Sequence, residues 1–214
     1  IRQCTIDSAW DLDLGDVEQQ RLRDSACRSC TSGVARSHLL SYEREGALLE
    51  ELFTHDGSGT LIAQNPYEQA RSADINDIAS IVELIRPLED SGALVKRSRE
   101  RLEEEIGYFS ILERDGRVLA CAALYPYEAE SVGEIACVAT HPDYRGTGRA
   151  RQLLDELIAE AKALSLTHVF VLTTQSTHWF LEQGFEAASP DDLPVEKQQL
   201  YNWQRSAAVL RRTV

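Results

Sequence analysis

The chain has 214 residues, of which 43% are hydrophobic and 27% charged, and its formal net charge is −13. This length suits one domain with additional material, or two small domains. The negative charge argues against nucleic acid as a partner, because such binding requires Lys and Arg to neutralise phosphates. No run of 18 apolar residues occurs, so the sequence predicts no membrane span.

The cysteines predict a reducing, cytoplasmic location, because they are odd in number and lack the spacing of a disulfide framework. They are Cys4, Cys27, Cys30, Cys121 and Cys137. Cys27 and Cys30 form a single CxxC pair within a helical pattern, whereas a zinc site needs four ligands, so no metal is expected. The chain starts at Ile1 without a secretory signal and contains no Met, which predicts a piece of a longer protein.

The first 64 residues predict a small α/β unit. Its elements are a helix over 16–32, a strand over 34–41, a short helix over 46–53, a Gly-rich loop over 54–60 and an apolar run over 61–63. Gln64-Asn65-Pro66-Tyr67 then reads as a break in the pattern. We therefore expect two domains, residues 1–64 and 65–214.

The sequence of the second domain predicts helices that alternate with the strands of a sheet. Asp74 and Ser98 are good caps for two helices, the first with apolar residues at helical spacing from Ile75 to Leu88. Asp115-Gly116 predicts a hairpin between two β-rich runs. The other elements expected are strands over 70–73, 108–113, 117–125, 133–140 and 168–173, helices over 148–164 and 176–183, and late β signals over 200–210.

The most informative segment joins the strand that ends at Thr140 to the helix that starts near Gly148. Residues 145–150 fit Arg-x-x-Gly-x-Ala, and a helix N-terminus offers unpaired N–H groups and a positive dipole end to an anion. Gly146 and Gly148 let the backbone approach a phosphate closely. Arg145 and Arg149 add charge-assisted donors. A pyrophosphate is the ligand implied, although the glycines alone also fit an ordinary strand-to-helix turn.

The wider pattern is more specific. His-Pro-x-Tyr-Arg-Gly-x-Gly-x-Ala over 141–150 resembles the acetyl-CoA loop of the GCN5-related N-acetyltransferase superfamily, and 178–185 resembles its helix-then-Gly-Phe signature. The resemblance implies an α/β fold with a mixed, mostly antiparallel sheet flanked by helices, and acetyl-CoA as cosubstrate. The residues it implies for binding acetyl-CoA are Cys137, Val138, Ala139, Thr140, Arg145, Gly146, Thr147, Gly148, Arg149 and Ala150.

Segments across 70–210 are similar, in order, to the bacterial N-acetylglutamate synthases of arginine biosynthesis. They are residues 83–89, 96–100, 120–126, 133–137, 170–174, 177–180 and 200–205. Residues 33–40 and 48–62 resemble the end of that family's amino-acid-kinase-like domain, through which L-arginine inhibits the enzyme. Most of that domain is absent from residues 1–64, so inhibition of this chain by arginine is left open. The resemblance also implies a homo-oligomer.

The implied reaction is acetyl transfer from acetyl-CoA to the α-amine of L-glutamate. The resemblance gives Glu134 the role of general base, and burial beside apolar neighbours would make its carboxylate a stronger base. The backbone N–H of Val138 would stabilise the oxyanion. Thr173, at the position where the family places a hydroxyl acid, or alternatively Tyr201, would donate a hydrogen bond or proton to the departing CoA thiolate.

Glutamate brings two carboxylates, which arginine binds through paired N–H donors. Arg97, Arg99 and Arg205 are the candidates, because they lie in the segments that match the family, and Lys96 is a weaker one. Arg97 and Arg99 flank a helix cap, so one of them is expected to be structural. Two other functions remain open: an acetyltransferase of the same fold for another small amine, whose acceptor pocket would be acidic, and a non-catalytic arginine-sensing module.

Overall fold

The computed structural model describes residues 3–12, 14–54, 57–64, 68–200 and 207–214. The chain forms two compact units, Ile1–Glu68 and Gln69–Val214. Within the described ranges, no helix is both long enough and apolar enough to cross a membrane.

The first unit is a small three-stranded sheet with helices. In chain order its elements are β1 (Gln3–Thr5), α1 (Ile6–Trp10), α2 (Val17–Thr31), β2 (Arg36–Leu39), α3 (Ala47–Phe53) and β3 (Thr60–Ala63). Strand β3 is central, parallel to β1 and antiparallel to β2. Cys27 and Cys30 are buried in its core, where the Cys30 thiol donates to the carbonyl oxygen of Ile62 at 3.3 Å. The CxxC pair therefore packs the core as free thiols.

The second unit is built on a seven-stranded sheet. In chain order its elements are β4 (Gln69–Ser72), α4 (Ile78–Asp90), α5 (Arg99–Glu105), β5 (Phe109–Arg114), β6 (Arg117–Tyr127), β7 (Val132–Thr140), α6 (Arg149–Ala163), β8 (His168–Thr173), α7 (Thr177–Glu182), β9 (Glu186–Ala188), α8 (Val195–Leu200) and β10 (Ala208–Thr213). The strand order is β4-β5-β6-β7-β8-β10-β9. The β7–β8 pair is parallel and the other described pairings are antiparallel, so the sheet is mixed, as expected.

The burial pattern of strand β6 shows that helices cover both faces of the sheet. Seven consecutive residues, Val118–Leu124, are buried, because successive side chains point to opposite faces and both faces carry helices. Ala120, Ala122 and Leu124 pack with α6 on one face. Cys121 and Ala123 pack with α4 and α5 on the other face.

The start of α4 shows how a predicted cap works. Asp74 accepts a hydrogen bond from the Asn76 N–H at 2.7 Å, and the Asp77 carboxylate accepts one from the Asp74 N–H at 2.8 Å, which forms a capping box. The first turn, Ile75–Asp77, is a 3₁₀ turn, and Ile75 is exposed although it fits the apolar spacing.

The late β signals over 200–210 are only partly correct. Strand β10 begins at Ala208, residues 195–200 form α8, and residues 201–206 lie outside the described part. The short elements β1, α1, β9 and α8 gave no periodic pattern, because each is three to six residues long.

Candidate active site

A bulge in β7 opens the sheet. Cys121 of β6 pairs with Ala139 and Ala123 pairs with Ala136, so that Cys137 and Val138 together oppose one residue of β6. Cys137 has a φ of +54°, a left-handed conformation that is strained for a residue with a side chain. Pairing of β7 with the parallel strand β8 covers only 132–134 and ends at Glu134. Beyond this residue the two strands separate.

The separated strands form the walls of a cleft of about 400 Å³. The predicted acetyl-CoA residues that line it are Cys137, Val138, Ala139, Thr140, Arg145, Gly146, Gly148, Arg149 and Ala150. Thr147 is not among the described lining residues, and its hydroxyl donates to the carbonyl oxygen of Tyr144 within the loop. Trp179 and Phe180 of α7 form part of the opposite wall.

The loop before α6 has the geometry of an anion site. Gly146 and Gly148 have φ values of +72° and +86°, a region that glycine enters without steric cost. Gly148 caps α6 without a side-chain hydrogen bond, which leaves the first N–H groups of this 15-residue helix directed at the cleft. The Arg149 guanidinium lies 4.7 Å from the ring centroid of Tyr144, and the Arg145 Nε donates to the Thr140 carbonyl oxygen at 3.3 Å.

Two further side chains define the chemistry of this cleft. Thr173, the last residue of β8, is buried, and its Oγ1 accepts the N–H of Ser176 at 2.9 Å and that of Gln175 at 3.4 Å. These bonds use its acceptor capacity, so the O–H proton remains available for donation. Burial raises the pKa of Cys137 to about 11, so this thiol stays protonated at neutral pH and is a poor nucleophile.

A second cavity of about 400 Å³ lies where β6 ends. Its lining residues come from α5 and the residues that flank it, the end of β6, the β6–β7 turn, β7 and α8. They are Arg97, Arg101, Glu105, Tyr108, Tyr125, Pro126, Tyr127, Glu128, Ala129, Glu130, Glu134, Glu196 and Lys197. Glu134 lines this cavity, whereas the residues that follow it on β7, from Ile135 to Thr140, line the cleft. The two cavities therefore meet at the bulged strand.

Glu134 is held by two neighbours in the second cavity. Its side chain is 9% exposed, and its Oε2 lies 2.7 Å from the Lys197 Nζ. The Tyr127 hydroxyl donates to the same oxygen at 3.4 Å. Burial, followed by the Glu134 anion, raises the pKa of Tyr127 above its ordinary value, so the phenol keeps its proton at neutral pH. Lys197 was not predicted from the sequence, because α8 gave no helical signal.

Arg97 and Arg99, the two arginines that flank the cap of α5, differ in burial and in their contacts. The Arg97 side chain is 14% exposed and lines the second cavity, with its Nε 3.8 Å from Glu105. This Nε is buried and has no hydrogen-bond partner among the described residues. Arg99 is 70% exposed and pairs with Glu103 at 2.9 Å on the surface of α5, so it does not reach the cavity. Lys96 is 75% exposed and pairs with Asp90.

Glu105 organises the wall next to Arg97. It accepts the Arg101 Nε at 2.7 Å and the Tyr125 hydroxyl at 2.8 Å. Burial alone would raise the pKa of Glu105, but these hydrogen bonds and the Arg97 charge outweigh burial and lower it. Arg101 is therefore committed to a carboxylate of the protein.

The predicted Tyr201 and Arg205 lie outside the described residues. Among the described residues, no cluster of three or more His, Cys, Asp or Glu side chains is arranged to hold a metal ion.

The bulge in β7, its separation from the parallel strand β8 and a glycine loop at a helix N-terminus together fit an acetyltransferase that uses acetyl-CoA. The family model of the Acetyltransferase (GNAT) family matches residues 75–185, and the chain belongs to this family.

Curated relatives narrow the comparison. The chain is 55% identical over 190 residues to the amino-acid acetyltransferases of Yersinia pseudotuberculosis and Yersinia pestis, over 89% of this chain and 43% of theirs. It is also similar to the N-acetylglutamate synthase of Neisseria gonorrhoeae complexed with coenzyme A and L-arginine, with 38% identity and a TM-score of 0.87 over 100% of this chain and 49% of that chain. The same enzyme complexed with coenzyme A and N-acetyl-glutamate gives 39% identity and a TM-score of 0.69 over 99% and 50%. The chain thus spans about half the length of these relatives.

Proposed function

We propose that this chain transfers the acetyl group of acetyl-CoA to the α-amine of L-glutamate, which gives N-acetyl-L-glutamate and CoA, the first step of arginine biosynthesis. The observation that carries the proposal is the meeting of two cavities at β7, one with a glycine loop and one with Glu134 and Arg97. The Neisseria relative, crystallised with coenzyme A and N-acetyl-glutamate, supports this assignment.

The cleft binds acetyl-CoA. The pyrophosphate lies on the N–H groups between Arg145 and Ala150, where the helix dipole and two arginines offset its charge. The pantetheine arm follows the separated strands to the bulge. There the thioester carbonyl meets the N–H of Val138, which has no partner residue in the described register of β7 and stabilises the oxyanion.

The second cavity binds the acceptor. Glu134 removes a proton from the acceptor ammonium, and the freed amine attacks the thioester carbon. The tetrahedral intermediate collapses with loss of the CoA thiolate, which receives a hydrogen bond or proton from Thr173 or Tyr201. Thr173 has its O–H available at the end of β8, whereas Tyr201 lies outside the described residues.

Arg97 selects a second carboxylate on the acceptor. Its buried Nε has no hydrogen-bond partner in the described part of the chain, and a buried charged donor in that state favours an anionic ligand.

A different small amine is the second candidate acceptor, because Glu128, Glu130 and Glu196 also line this cavity. These three carboxylates are exposed at its rim, whereas Arg97 is deeper, so we favour the dicarboxylate.

The test is acetyl-CoA turnover by the 214-residue chain with L-glutamate, L-glutamine and a diamine as acceptors. We expect kcat/KM for L-glutamate to exceed both others at least tenfold, since one charge-assisted carboxylate contact is worth that factor. Equal turnover of all three would favour a general amine acetyltransferase. Arginine binding without turnover of any amine would favour a sensing module.

We also propose a domain division, inhibition by L-arginine, a homo-oligomeric state and a cytoplasmic location. Residues 1–64 are the C-terminal piece of an amino-acid-kinase-like domain and residues 65–214 form the acetyltransferase domain, a boundary within a few residues of the division between Ile1–Glu68 and Gln69–Val214. L-Arginine inhibits the longer protein, which is a homo-oligomer; the Neisseria relative binds L-arginine in its crystal structure. The protein works in the cytoplasm, where its five cysteines, all free thiols here, stay reduced.

A further inference from the structure

The ion pair between Lys197 and Glu134 is the least explained feature of the acceptor cavity. The two side chains are 23% and 9% exposed, and the Nζ–Oε2 distance is 2.7 Å. The other lining cations face elsewhere, since Arg101 binds Glu105 at 2.7 Å and Arg97 lies 3.8 Å from the same carboxylate. Among the described cations that line this cavity, Lys197 is the one paired with the proposed base.

This pair conflicts with the role of Glu134 in the proposed function. Lys197 and the Tyr127 hydroxyl both contact Oε2 of Glu134, so an acceptor ammonium has to compete with Lys197 for this carboxylate. Displacement alone would leave a largely buried lysine without a counter-charge, which is costly. Glu134 is therefore most accessible to the acceptor ammonium when Lys197 has gained another anionic partner.

The acceptor itself supplies both replacement charges. In an α-amino acid the ammonium nitrogen and the carboxylate carbon are bonded to one Cα atom, so they lie about 2.5 Å apart. The two groups are therefore close enough together for one acceptor to contact both partners of the ion pair at once. A side-chain carboxylate is farther from the ammonium group, and Arg97, which lines the cavity from the start of α5, is the cation for it.

We infer that Lys197 exchanges its ion-pair partner when the acceptor binds. Lys197 then pairs with the α-carboxylate of the acceptor instead of Glu134, and the Glu134 carboxylate contacts the acceptor ammonium. This inference rests on the proposed function. The proton then passes from that ammonium to the Glu134 carboxylate, which becomes a neutral acid, while Lys197 remains protonated on the α-carboxylate. Lys197 is a positioning residue that couples recognition of an α-amino acid to release of the base.

The experiment compares Lys197→Met with Lys197→Arg in the 214-residue chain. KM and kcat are measured for L-glutamate, for its α-amide and for L-glutamine, the side-chain amide. We expect Lys197→Met to raise KM for L-glutamate at least tenfold and to reduce the preference for L-glutamate over the α-amide to within about twofold. The preference over L-glutamine, which depends on Arg97, should persist. Lys197→Arg should restore part of the preference for L-glutamate over its α-amide. Lys162→Met, which changes an exposed lysine of α6, is the control and should leave both kinetic constants unchanged.

Unchanged discrimination against the α-amide in a folded Lys197→Met chain would overturn the exchange and leave Lys197 as a structural clamp. Folding is checked by circular dichroism and CoA binding. If that variant does not fold, the wild-type chain decides, because exchange requires a KM for the α-amide at least tenfold above that for L-glutamate, and parity overturns it. Absence of wild-type turnover with L-glutamate would instead refute the proposed function.

Discussion

At the scale of single residues, Glu134 lies at the junction between the cleft and the acceptor cavity. It is the last residue of β7 that pairs with β8, and the bulge at Cys137 follows immediately. The side chain of Glu134 faces the acceptor cavity, while the strand after it faces the cleft. Strand separation thus lets a fixed carboxylate lie beside the proposed position of the thioester.

Glu134→Gln should lower kcat by about 10² or more, because the amide cannot accept the proton of the acceptor ammonium. Binding of CoA should not change, since Glu134 does not line the cleft. Steady-state turnover and CoA titration measure both effects. Glu196→Gln is the matched control, an exposed carboxylate of the same cavity. Normal turnover by Glu134→Gln at neutral pH would remove Glu134 from the mechanism.

Arg97→Met should raise KM for L-glutamate at least tenfold and leave KM for acetyl-CoA unchanged, because a buried charge-assisted partner of the acceptor is removed. Arg99→Met should have little effect, since Arg99 is 70% exposed and its ion pair with Glu103 is a surface pair. The kinetics of the two variants with both substrates provide the check. A similar rise in KM for both variants would point to the charge of α5 as a whole.

At the scale of elements, the loop before α6 was predictable and the bulge was not. Glycines and arginines at fixed spacing between a strand and a helix are visible in the sequence over 145–150. The bulge at Cys137 arises from pairing with β6, and no local residue preference indicates a φ of +54° there. Lys197 was missed for a similar reason, because its neighbour Glu134 is close in space but distant along the chain.

Gly148→Asp should weaken CoA binding at least tenfold, because it places a carboxylate at the N-terminus of α6, where the pyrophosphate is proposed to lie. Gly116→Asp is the control for backbone strain, since Gly116 has a φ of +76° and neither glycine has an atom within 4 Å of an added Cβ. CoA affinity is measured by calorimetry. Retained affinity in Gly148→Asp would refute the loop assignment.

The network around Arg71 links β4, the cap of α4 and β5. Its guanidinium donates to both Asp77 oxygens, at 2.7 and 2.9 Å, and its Nε donates to Glu113 at 2.8 Å. The hydrogen bonds from Arg71 lower the pKa of Asp77. Because the folded-state pKa is lowered, this contribution to stability is complete above the ordinary Asp value of about 3.9 and is lost as pH falls through the folded-state value.

Asp77→Asn should therefore reduce the free energy of unfolding at pH 7 by about 1.5–3 kcal/mol. The difference from the wild type should shrink as the pH falls below about 4. Urea unfolding between pH 3 and pH 7 measures it. Asp155→Asn, which removes an exposed partner of Arg151, should change stability by less than about 0.5 kcal/mol. A difference for Asp77→Asn that is independent of pH would contradict the electrostatic origin.

At the scale of the whole molecule, family resemblance predicted the fold of the second unit, and nine of the ten residues that it implies for acetyl-CoA line the cleft. Hydrophobic periodicity gave the long elements, such as α4, α6 and β8, within a few residues. Periodicity indicates the boundary of the two units only to within a few residues, because residues 64–67 carry a break signal and no periodic element. It also did not show which arginine enters the cavity, since Arg97 and Arg99 differ in burial rather than in sequence context.

The division into two units has a direct functional consequence. All described residues that line the cleft and the acceptor cavity belong to Gln69–Val214. Both core clusters on the faces of the seven-stranded sheet also consist of residues from this unit. A unit of roughly 150 residues buries enough apolar surface to fold alone.

A chain of residues 69–214 should therefore bind CoA with a Kd within threefold of that of the 214-residue chain and should respond to Gly148→Asp in the same way. Calorimetric titration of both chains, with circular dichroism to confirm folding, provides the measurement. If residues 69–214 fold but bind CoA more than tenfold more weakly, the first unit contributes to the cleft and the proposed domain boundary does not separate function. Equal affinity, by contrast, would show that Ile1–Glu68 is not needed for CoA binding.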